Sequence, residues 1–175
     1  MLALLLVSAF MALVLVPVIS VLYRKQMEKE YSERAFDAAT IAAGLIDGDS
    51  IKGYYETGKK DEYYNKIFDM LLLMKQTEEF DYFYVVIPFE DNQYYIWDAG
   101  EEGEEGVCDL GDVDEYFDDG KDIMMKAFWN DSERVILITK SEEYGYLASA
   151  YVPILDSKGE PVALSSVDIS MEKIN

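Results

Sequence analysis

The chain contains no histidine and a single cysteine among its 175 residues. Histidine is the commonest general base and transition-metal ligand, so its absence argues against many catalytic and metal sites. Cys108 alone allows neither an internal disulfide nor a cysteine zinc site. The sequence also lacks a G-x-S-x-G element and a P-loop. We therefore expect no enzymatic activity, no catalytic residue, no cofactor and no metal ligand in this segment.

Positive charge is scarce as well. Lysine and arginine number 15 against 35 aspartates and glutamates, which gives a formal net charge of −20. Such a chain repels polyanions, so nucleic acid is excluded as a partner. Half of the residues are hydrophobic and 14% are aromatic, which excludes a disordered chain.

Charge is absent from the first part of the chain. Leu2–Tyr23 reads LALLLVSAFMALVLVPVISVLY and contains no charged residue. A helix of about 20 apolar residues is long enough to cross a bilayer. No basic segment precedes it and no A-x-A-like cleavage site follows, in contrast to a signal peptide. We predict an uncleaved transmembrane helix over residues 1–23 and one folded domain over residues 24–175.

The orientation of that anchor is open from charge alone. Arg24, Lys25, Lys29 and Arg34 follow the apolar segment, and the positive-inside rule would place them in the cytoplasm. Acidic residues are interspersed among these cations, which weakens the argument. The charge pattern therefore stands against the extracytoplasmic placement derived below without deciding it.

Helical periodicity continues over residues 24–45. Residues at spacings of three and four form one stripe, which contains Tyr23, Met27, Tyr31, Arg34, Ala38, Ile41 and Leu45. Such a stripe predicts an amphipathic helix that runs directly out of the membrane. We expect it to pack on a sheet and to pair with its copy in a homodimer.

The remaining pattern is that of an α+β domain. A second helix is expected over Asp61–Phe80, with Asp61 as its N-cap, and a short helical piece near Ile123–Phe128. Alternating and β-branched segments predict strands at Tyr82–Pro88, Tyr94–Asp98, Arg134–Thr139 and in a final hairpin within Ser149–Ser170. This order predicts one central antiparallel sheet of about five strands with the long helix on one face.

The final hairpin separates its side chains into two different faces. With a loop of two or four residues, Tyr151 lies opposite Leu164, Ser149 opposite Ser166 and Leu147 opposite Asp168. One face then carries Leu147, Ser149, Tyr151, Leu164, Ser166 and Asp168. The other face is small and mostly apolar, as expected beneath a helix. The mixed face suits either a polar ligand or solvent.

The sequence resembles the Cache family of PAS-like extracytoplasmic sensor domains in bacterial chemoreceptors, histidine kinases and diguanylate cyclases. The resemblance rests on AATIAAGLIDGDSI after the long helix, on YFYVVIP and YYIWDAG, and on YGYLASAYVPILDSKGEPVALSSVDISMEKI. It implies a single Cache domain on the outer side of the cell membrane, with a small-molecule ligand held over one face of the sheet.

The resemblance also suggests ligand-binding residues. Asp168 matches the acid of the final strand, and Tyr84, Asp98 and Tyr151 match weaker positions. Ser149 and Ser166 share the face of Asp168, and Trp97 is a further aromatic candidate. Amino-acid-binding members carry an Arg-x-Trp-Tyr-like element that this chain lacks; its nearest cations are Arg134 and Lys140. A neutral, amine-bearing or cationic ligand is left open.

An acidic stretch offers an alternative function. Residues 101–122 are rich in carboxylates, which are the ligands that calcium and magnesium prefer. The glycine positions do not fit an EF-hand loop. Sensing of a divalent cation near the membrane is therefore the second hypothesis, and a solvated acidic loop is the simpler interpretation.

Overall fold

The structure is a computed structural model that describes residues 2–100, 106–116, 120–130, 134–141 and 145–172, without the side chains of residues 2–9 and 12. Four helices are present in this part: α1 (Leu2–Leu45), α2 (Gly48–Thr57), α3 (Glu62–Glu78) and α4 (Gly120–Trp129). Six strands complete it: β1 (Tyr82–Pro88), β2 (Asn92–Asp98), β3 (Val113–Glu115), β4 (Val135–Ser141), β5 (Gly145–Leu155) and β6 (Pro161–Ser170).

Helix α1 runs without a break from the apolar segment to Leu45, the predicted end. The described residues include no helix that is long and apolar enough to span a membrane. The predicted transmembrane segment, residues 1–23, includes Met1 and several side chains that the structure does not describe. It therefore stays a prediction.

Two shorter helices follow, each with a capped beginning. The Asp61 carboxylate accepts a hydrogen bond from the Tyr64 amide (2.8 Å), as expected for the predicted N-cap of α3. Asp47 caps α2 through the Asp49 amide (3.1 Å), and Gly58 ends it with a positive φ of 61°. The sequence pattern did not predict α2, because its glycine-containing segment GDSIKGYYET has a short apolar face.

The strands form one antiparallel sheet in the order β3-β2-β1-β6-β5-β4. The prediction of a central antiparallel sheet is confirmed, with six strands in place of about five. The additional strand, β3, pairs with β2 at the sheet edge and lies inside the acidic stretch. Its three residues are exposed, so no hydrophobic alternation marks it in the sequence.

The register of the β5–β6 hairpin differs from the predicted one by two residues. Tyr151 pairs with Ser166, and Ser149 pairs with Asp168. The predicted partners, Leu164 and Ser166 respectively, were therefore wrong. The physical reason is a longer loop, residues 156–160, together with a β-bulge at Ile154/Leu155. A shift of two residues preserves the side of each side chain, so the predicted division into two faces holds.

The two faces of the sheet are covered differently. On one face, α1 packs through a row of buried alanines, Ala35, Ala38, Ala39 and Ala42. They meet the small residues Ala150 and Ala163 of the hairpin, which let helix and sheet approach closely. The long helix therefore packs on the face that alternation predicted. The opposite face is covered by α4 through Met124, Ala127 and Phe128.

Candidate functional site

A cavity of about 370 Å³ lies between the sheet, α4 and the segment 106–116. This volume is within the range of small-molecule binding sites. Its described lining comprises Tyr82, Tyr84, Gln93, Tyr95, Asp98, Gly106, Cys108, Asp114, Glu115, Tyr116, Gly120, Met124, Leu137, Thr139, Leu147, Ser149, Tyr151 and Asp168. The mixed face of the final hairpin is therefore one of its walls.

Strand pairing brings the polar wall together. Tyr82 of β1 and Ser149 of β5 flank Asp168 of β6 in one row of the sheet. In the neighbouring row, Tyr84 and Tyr151 flank Ser166. Neighbouring strands are about 4.8 Å apart, and residues two apart on one strand are about 6.6 Å apart, so the side chains of the two rows lie within reach of one another. The central strands thus concentrate hydroxyl groups around one carboxylate.

Asp168 is buried, with 7% of its surface exposed, and its Oδ1 atom has no hydrogen-bond partner among the residues that the structure describes. Burial raises the pKa of Asp168 to about 7, although hydrogen bonds from Ser149 and Tyr84 lower it. Desolvation disfavours the charged form, and the nearby Asp81 and Asp98 carboxylates act in the same direction. Asp168 is thus a carboxylate near its titration point, with one oxygen atom free for a ligand.

The tyrosines around Asp168 are neutral donors and acceptors. Burial, followed by the Asp168 charge, raises the pKa of Tyr84 and of Tyr151 above the ordinary value. A further ring, Tyr95, lies 5.8 Å from the Tyr84 ring between centroids, and burial raises its pKa also. Phenol groups with raised pKa values remain protonated at physiological pH and provide hydroxyls as well as aromatic surface.

Asp98 has a second role at the cavity wall. Its Oδ2 atom accepts a hydrogen bond from the Cys108 amide (3.0 Å), which attaches the segment 106–116 to the end of β2. Asp109 of that segment forms an ion pair with Lys60. Burial followed by the Asp98 charge raises the pKa of the Cys108 thiol to about 11, so the thiol is protonated.

A β-bulge gives the cavity a wall that alternation alone does not predict. Tyr95 and Asp98 both line the cavity although they are three residues apart on β2. Simple alternation from Asp98 would put Ile96 on that side. The register between β1 and β2 shifts at Val85/Val86, which places Tyr95 next to Asp98 on the cavity side.

Five of the seven predicted site residues line the cavity: Tyr84, Asp98, Ser149, Tyr151 and Asp168. Trp97 does not. Its ring is buried on the other face of the sheet, stacked on Tyr64 at 5.1 Å between ring centroids, and its Nε1 donates to the Tyr64 carbonyl oxygen. Ser166 is fully buried within the sheet and lies outside the lining, and its Oγ atom has no hydrogen-bond partner within the described ranges.

Sequence reasoning missed much of the remaining lining. Tyr82 was available from the alternation of YFYVV, because it is two residues before Tyr84. To predict Tyr95, one would have to know the β-bulge. To predict Cys108 and Tyr116, one would have to know the path of a segment with little regular secondary structure. Met124 required the docking of α4. These positions depend on contacts between distant parts of the chain and carry no local signal.

The two cations that the sequence offered for a carboxylate ligand lie away from the cavity lining. The Arg134 guanidinium is 4.4 Å from the Phe36 ring centroid of α1 and 3.4 Å from the Asp37 carboxylate. The Lys140 ammonium lies 5.9 Å from the Tyr146 ring centroid. The described lining contains no lysine or arginine.

Within the described ranges, no three acidic or cysteine side chains are grouped closely enough to hold a metal ion. The predicted acidic surface, residues 101–122, includes residues 101–105 and 117–119, which lie outside the described part. Divalent-cation sensing by this surface therefore stays a hypothesis.

Comparisons with known proteins give no match to a protein family and none to a curated protein sequence. Solved structures do match. The ligand-binding domain of the Campylobacter jejuni chemoreceptor Tlp3, in complex with 4-methylisoleucine, superposes with a TM-score of 0.51 at 13% identity, covering 89% of this chain and 57% of that one. The periplasmic sensory domain of the Campylobacter jejuni chemoreceptor Tlp1 gives a TM-score of 0.53 at 16% identity, with coverages of 90% and 60%.

A third match has a similar length. The sensor domain of Escherichia coli DcuS superposes with a TM-score of 0.50 at 12% identity, covering 87% of this chain and 95% of that domain. The chain spans less than two thirds of the two chemoreceptor domains and nearly all of the DcuS domain. The fold is thus that of bacterial receptor sensor domains, as the resemblance to Cache domains predicted.

Proposed function

We propose that the chain is the extracytoplasmic ligand-sensing module of a transmembrane signal-transduction receptor, and that it binds a small polar solute in the cavity. The observation that carries the proposal is the buried Asp168 carboxylate, whose Oδ1 atom has no partner inside a cavity of solute size. Leaving a buried polar atom unpaired costs about 1–3 kcal/mol. A ligand donor that forms a hydrogen bond to Oδ1 would recover this cost.

The similarity to sensor domains supports this function over catalysis. Tlp3, Tlp1 and DcuS are described as ligand-binding or sensory domains, and one Tlp3 structure contains a small amino acid. The cavity has room for a solute of that size. The hydroxyl-rich wall offers hydrogen bonds that would orient such a solute.

The long helix provides a route from the cavity to the membrane. The hairpin β5–β6 carries cavity residues on one face and contacts α1 through the other. A ligand that favours one arrangement of the hairpin therefore shifts the population of helix positions as well. In the proposed receptor, residues 1–23 anchor α1 in the cell membrane, and two copies pair through this helix.

Binding of a solute can be tested with the full chain in detergent. Thermal unfolding is measured against amino acids, amines, organic acids, sugars and divalent ions, for the wild type and for Asp168→Asn. We expect at least one solute to raise the melting temperature, and the substitution to abolish that effect. Asp69→Asn, an equal change of charge on an exposed position of α3, is the matched control and should respond like the wild type.

Cys108 reports where the solute binds, because it is the only cysteine and it lines the cavity. A stabilising solute should slow its alkylation at pH 8.5, followed by mass spectrometry of the intact chain. If no solute of the panel stabilises the chain, the proposal fails. If calcium or magnesium alone stabilises it, with Asp168→Asn unaffected, cation sensing through residues 101–122 replaces it.

A further inference from the structure

The charge of the cavity lining restricts the class of ligand. Four acidic side chains line the cavity, Asp98, Asp114, Glu115 and Asp168, and no basic side chain is among its described lining. A ligand carboxylate placed there would meet like charges without a compensating cation. Two of the four, Asp98 and Asp168, are buried. Like charges in a partly desolvated site are strongly unfavourable, so the lining selects against anions.

Asp168 can attract a positively charged ligand group. An ionised carboxylate accepts hydrogen bonds only, and no donor from the described part of the chain reaches the Oδ1 atom of this buried group. An ammonium group brings up to three N–H donors and the opposite charge. Charge-assisted hydrogen bonds of this kind are about twice as strong as neutral ones.

Aromatic side chains complete a cation-binding environment. The described lining of the cavity includes five tyrosines, Tyr82, Tyr84, Tyr95, Tyr116 and Tyr151. Aromatic faces attract cations, and the attraction grows when water is excluded. Tyrosine hydroxyls also accept hydrogen bonds from an ammonium group. The apolar side chains Met124, Leu137 and Leu147 leave room for a hydrocarbon body next to this polar wall.

We infer that the ligand is a small organic cation, an amine with a short hydrocarbon body and no carboxylate, whose ammonium group binds Asp168. This inference rests on the cavity being the ligand site of the proposed function. It separates this chain from a receptor for amino acids, because an amino acid carries the carboxylate that the lining cannot pair.

Matched pairs of probes test the carboxylate directly. Isothermal titration calorimetry at pH 8 compares 3-methylbutylamine with leucine, phenethylamine with phenylalanine, and 1,5-diaminopentane with lysine. In the pair that fits the cavity, we expect the amine to bind at least about tenfold more tightly than the amino acid. The neutral 3-methylbutanol should bind at least about tenfold more weakly than 3-methylbutylamine if that amine binds.

Variants then assign the effect to one carboxylate. Asp168→Asn should weaken amine binding by about tenfold or more, since it removes a charge-assisted hydrogen bond. Asp69→Asn changes the net charge equally and should leave the affinity unchanged. Equal losses in both variants would indicate non-specific attraction by the net charge of −20 and would overturn the inference.

The pH dependence gives an independent readout. The titratable groups that line the cavity around Asp168 are Tyr82, Tyr84, Tyr95, Asp98, Cys108, Asp114, Glu115, Tyr116 and Tyr151, with Asp81 next to it outside the lining. The pKa of Asp168, raised to about 7 by burial, makes it the group expected to change charge between pH 6 and 8. A cation binds the ionised form, so amine affinity should rise up to about tenfold over this range.

The two failures are distinguishable. If leucine or another carboxylate-bearing probe binds as tightly as its amine, and Asp168→Asn removes binding, the cation inference is wrong while the sensor proposal stands. If the affinity for the amine falls between pH 6 and 8, the protonated form of Asp168 is the one that binds. A neutral ligand that accepts a hydrogen bond from this carboxyl group then replaces the cation. If no probe binds and no solute of the wider panel stabilises the chain, the proposed function itself fails.

Discussion

At the scale of single residues, the burial of Asp168 is expected to lower the stability of the folded protein when its carboxylate is ionised. A solvated aspartate ionises near pH 3.8, but the buried Asp168 has a pKa of about 7. Above this pKa, the folded protein must hold an ionised carboxylate at a site where no described residue donates to Oδ1. A group kept under such conditions is typical of ligand-binding sites, where the ligand supplies the missing interaction.

Asp168→Asn should therefore stabilise the ligand-free protein in a pH-dependent way. Because the folded-state pKa is raised, the wild type is favoured at low pH and loses stability as the pH increases from about 4 to about 7. The advantage of the variant should grow by about 3 kcal/mol between pH 5 and pH 8, at about 1.4 kcal/mol per unit, with a plateau above pH 7.

Urea unfolding followed by tryptophan fluorescence at several pH values measures this difference. Titrations common to both proteins cancel in the comparison. A constant difference between Asp168→Asn and the wild type from pH 5 to 8 would mean that the carboxylate is not destabilised by burial. If Asp168→Asn is more stable than the wild type and yet does not bind the solute, its loss of binding cannot be due to unfolding.

At the scale of elements, α2 is a helix that the sequence pattern did not predict and that contacts with the β5–β6 hairpin hold in place. A Cβ atom added to Gly48, at its first turn, would lie 2.2 Å from the Leu155 carbonyl oxygen. The neighbouring Asp49 carboxylate accepts a hydrogen bond from the Ser157 amide (3.0 Å). The beginning of α2 is thus fitted against the backbone of the β5–β6 hairpin, which carries the cavity wall.

Gly48→Ala should destabilise the protein by about 2 kcal/mol, because the contact is with backbone and the hairpin or helix must move. Gly53→Ala in the same helix provides the matched control. Its added Cβ atom meets nothing within 4 Å, so it should be neutral or stabilise by up to about 1 kcal/mol. The test is to measure the free energy of unfolding of both variants. Similar values would show that the structure adjusts around a Cβ atom at position 48 without a loss of stability.

Local patterns predicted most elements of this fold and part of the site. The end of α1 at Leu45, the Asp61 cap and the bounds of β1 follow from periodicity and capping, which act within a few residues. The bulge that aligns Tyr95 with Asp98 and the five-residue loop at 156–160 did not follow. They are set by strand pairing across the sheet, which single-strand alternation does not contain.

At the scale of the whole molecule, α1 connects the apolar N-terminal segment with the sheet. Near the beginning of β5, the Tyr146 hydroxyl donates to the Glu28 carboxylate of α1 (2.5 Å), and the Tyr146 amide donates to Glu172 after β6 (2.9 Å). These bonds join the helix, the hairpin and the end of the domain at one point. The contact between the hairpin and α1 therefore extends to the part of α1 that is nearest the proposed membrane anchor.

The proposed placement of the domain outside the cytoplasm has a direct test. Lys158 lies at the exposed tip of the β5–β6 loop, so Lys158→Cys in a Cys108→Ser background provides one accessible thiol. In intact bacterial spheroplasts, a membrane-impermeant maleimide should label it without lysis. Labelling only after lysis would place the domain in the cytoplasm, as the cations Arg24, Lys25 and Lys29 suggest by the positive-inside rule.

The sequence by itself determined the α+β class, the long N-terminal helix and the two faces of the final hairpin. These depend on helical and strand periods, which are local and survive a register shift of two residues. Only the tertiary structure decided that Asp168 has an unpartnered oxygen in a cavity, and that Arg134 lies against α1 instead. Burial and charge pairing arise between residues far apart in the chain, so no local pattern contains them.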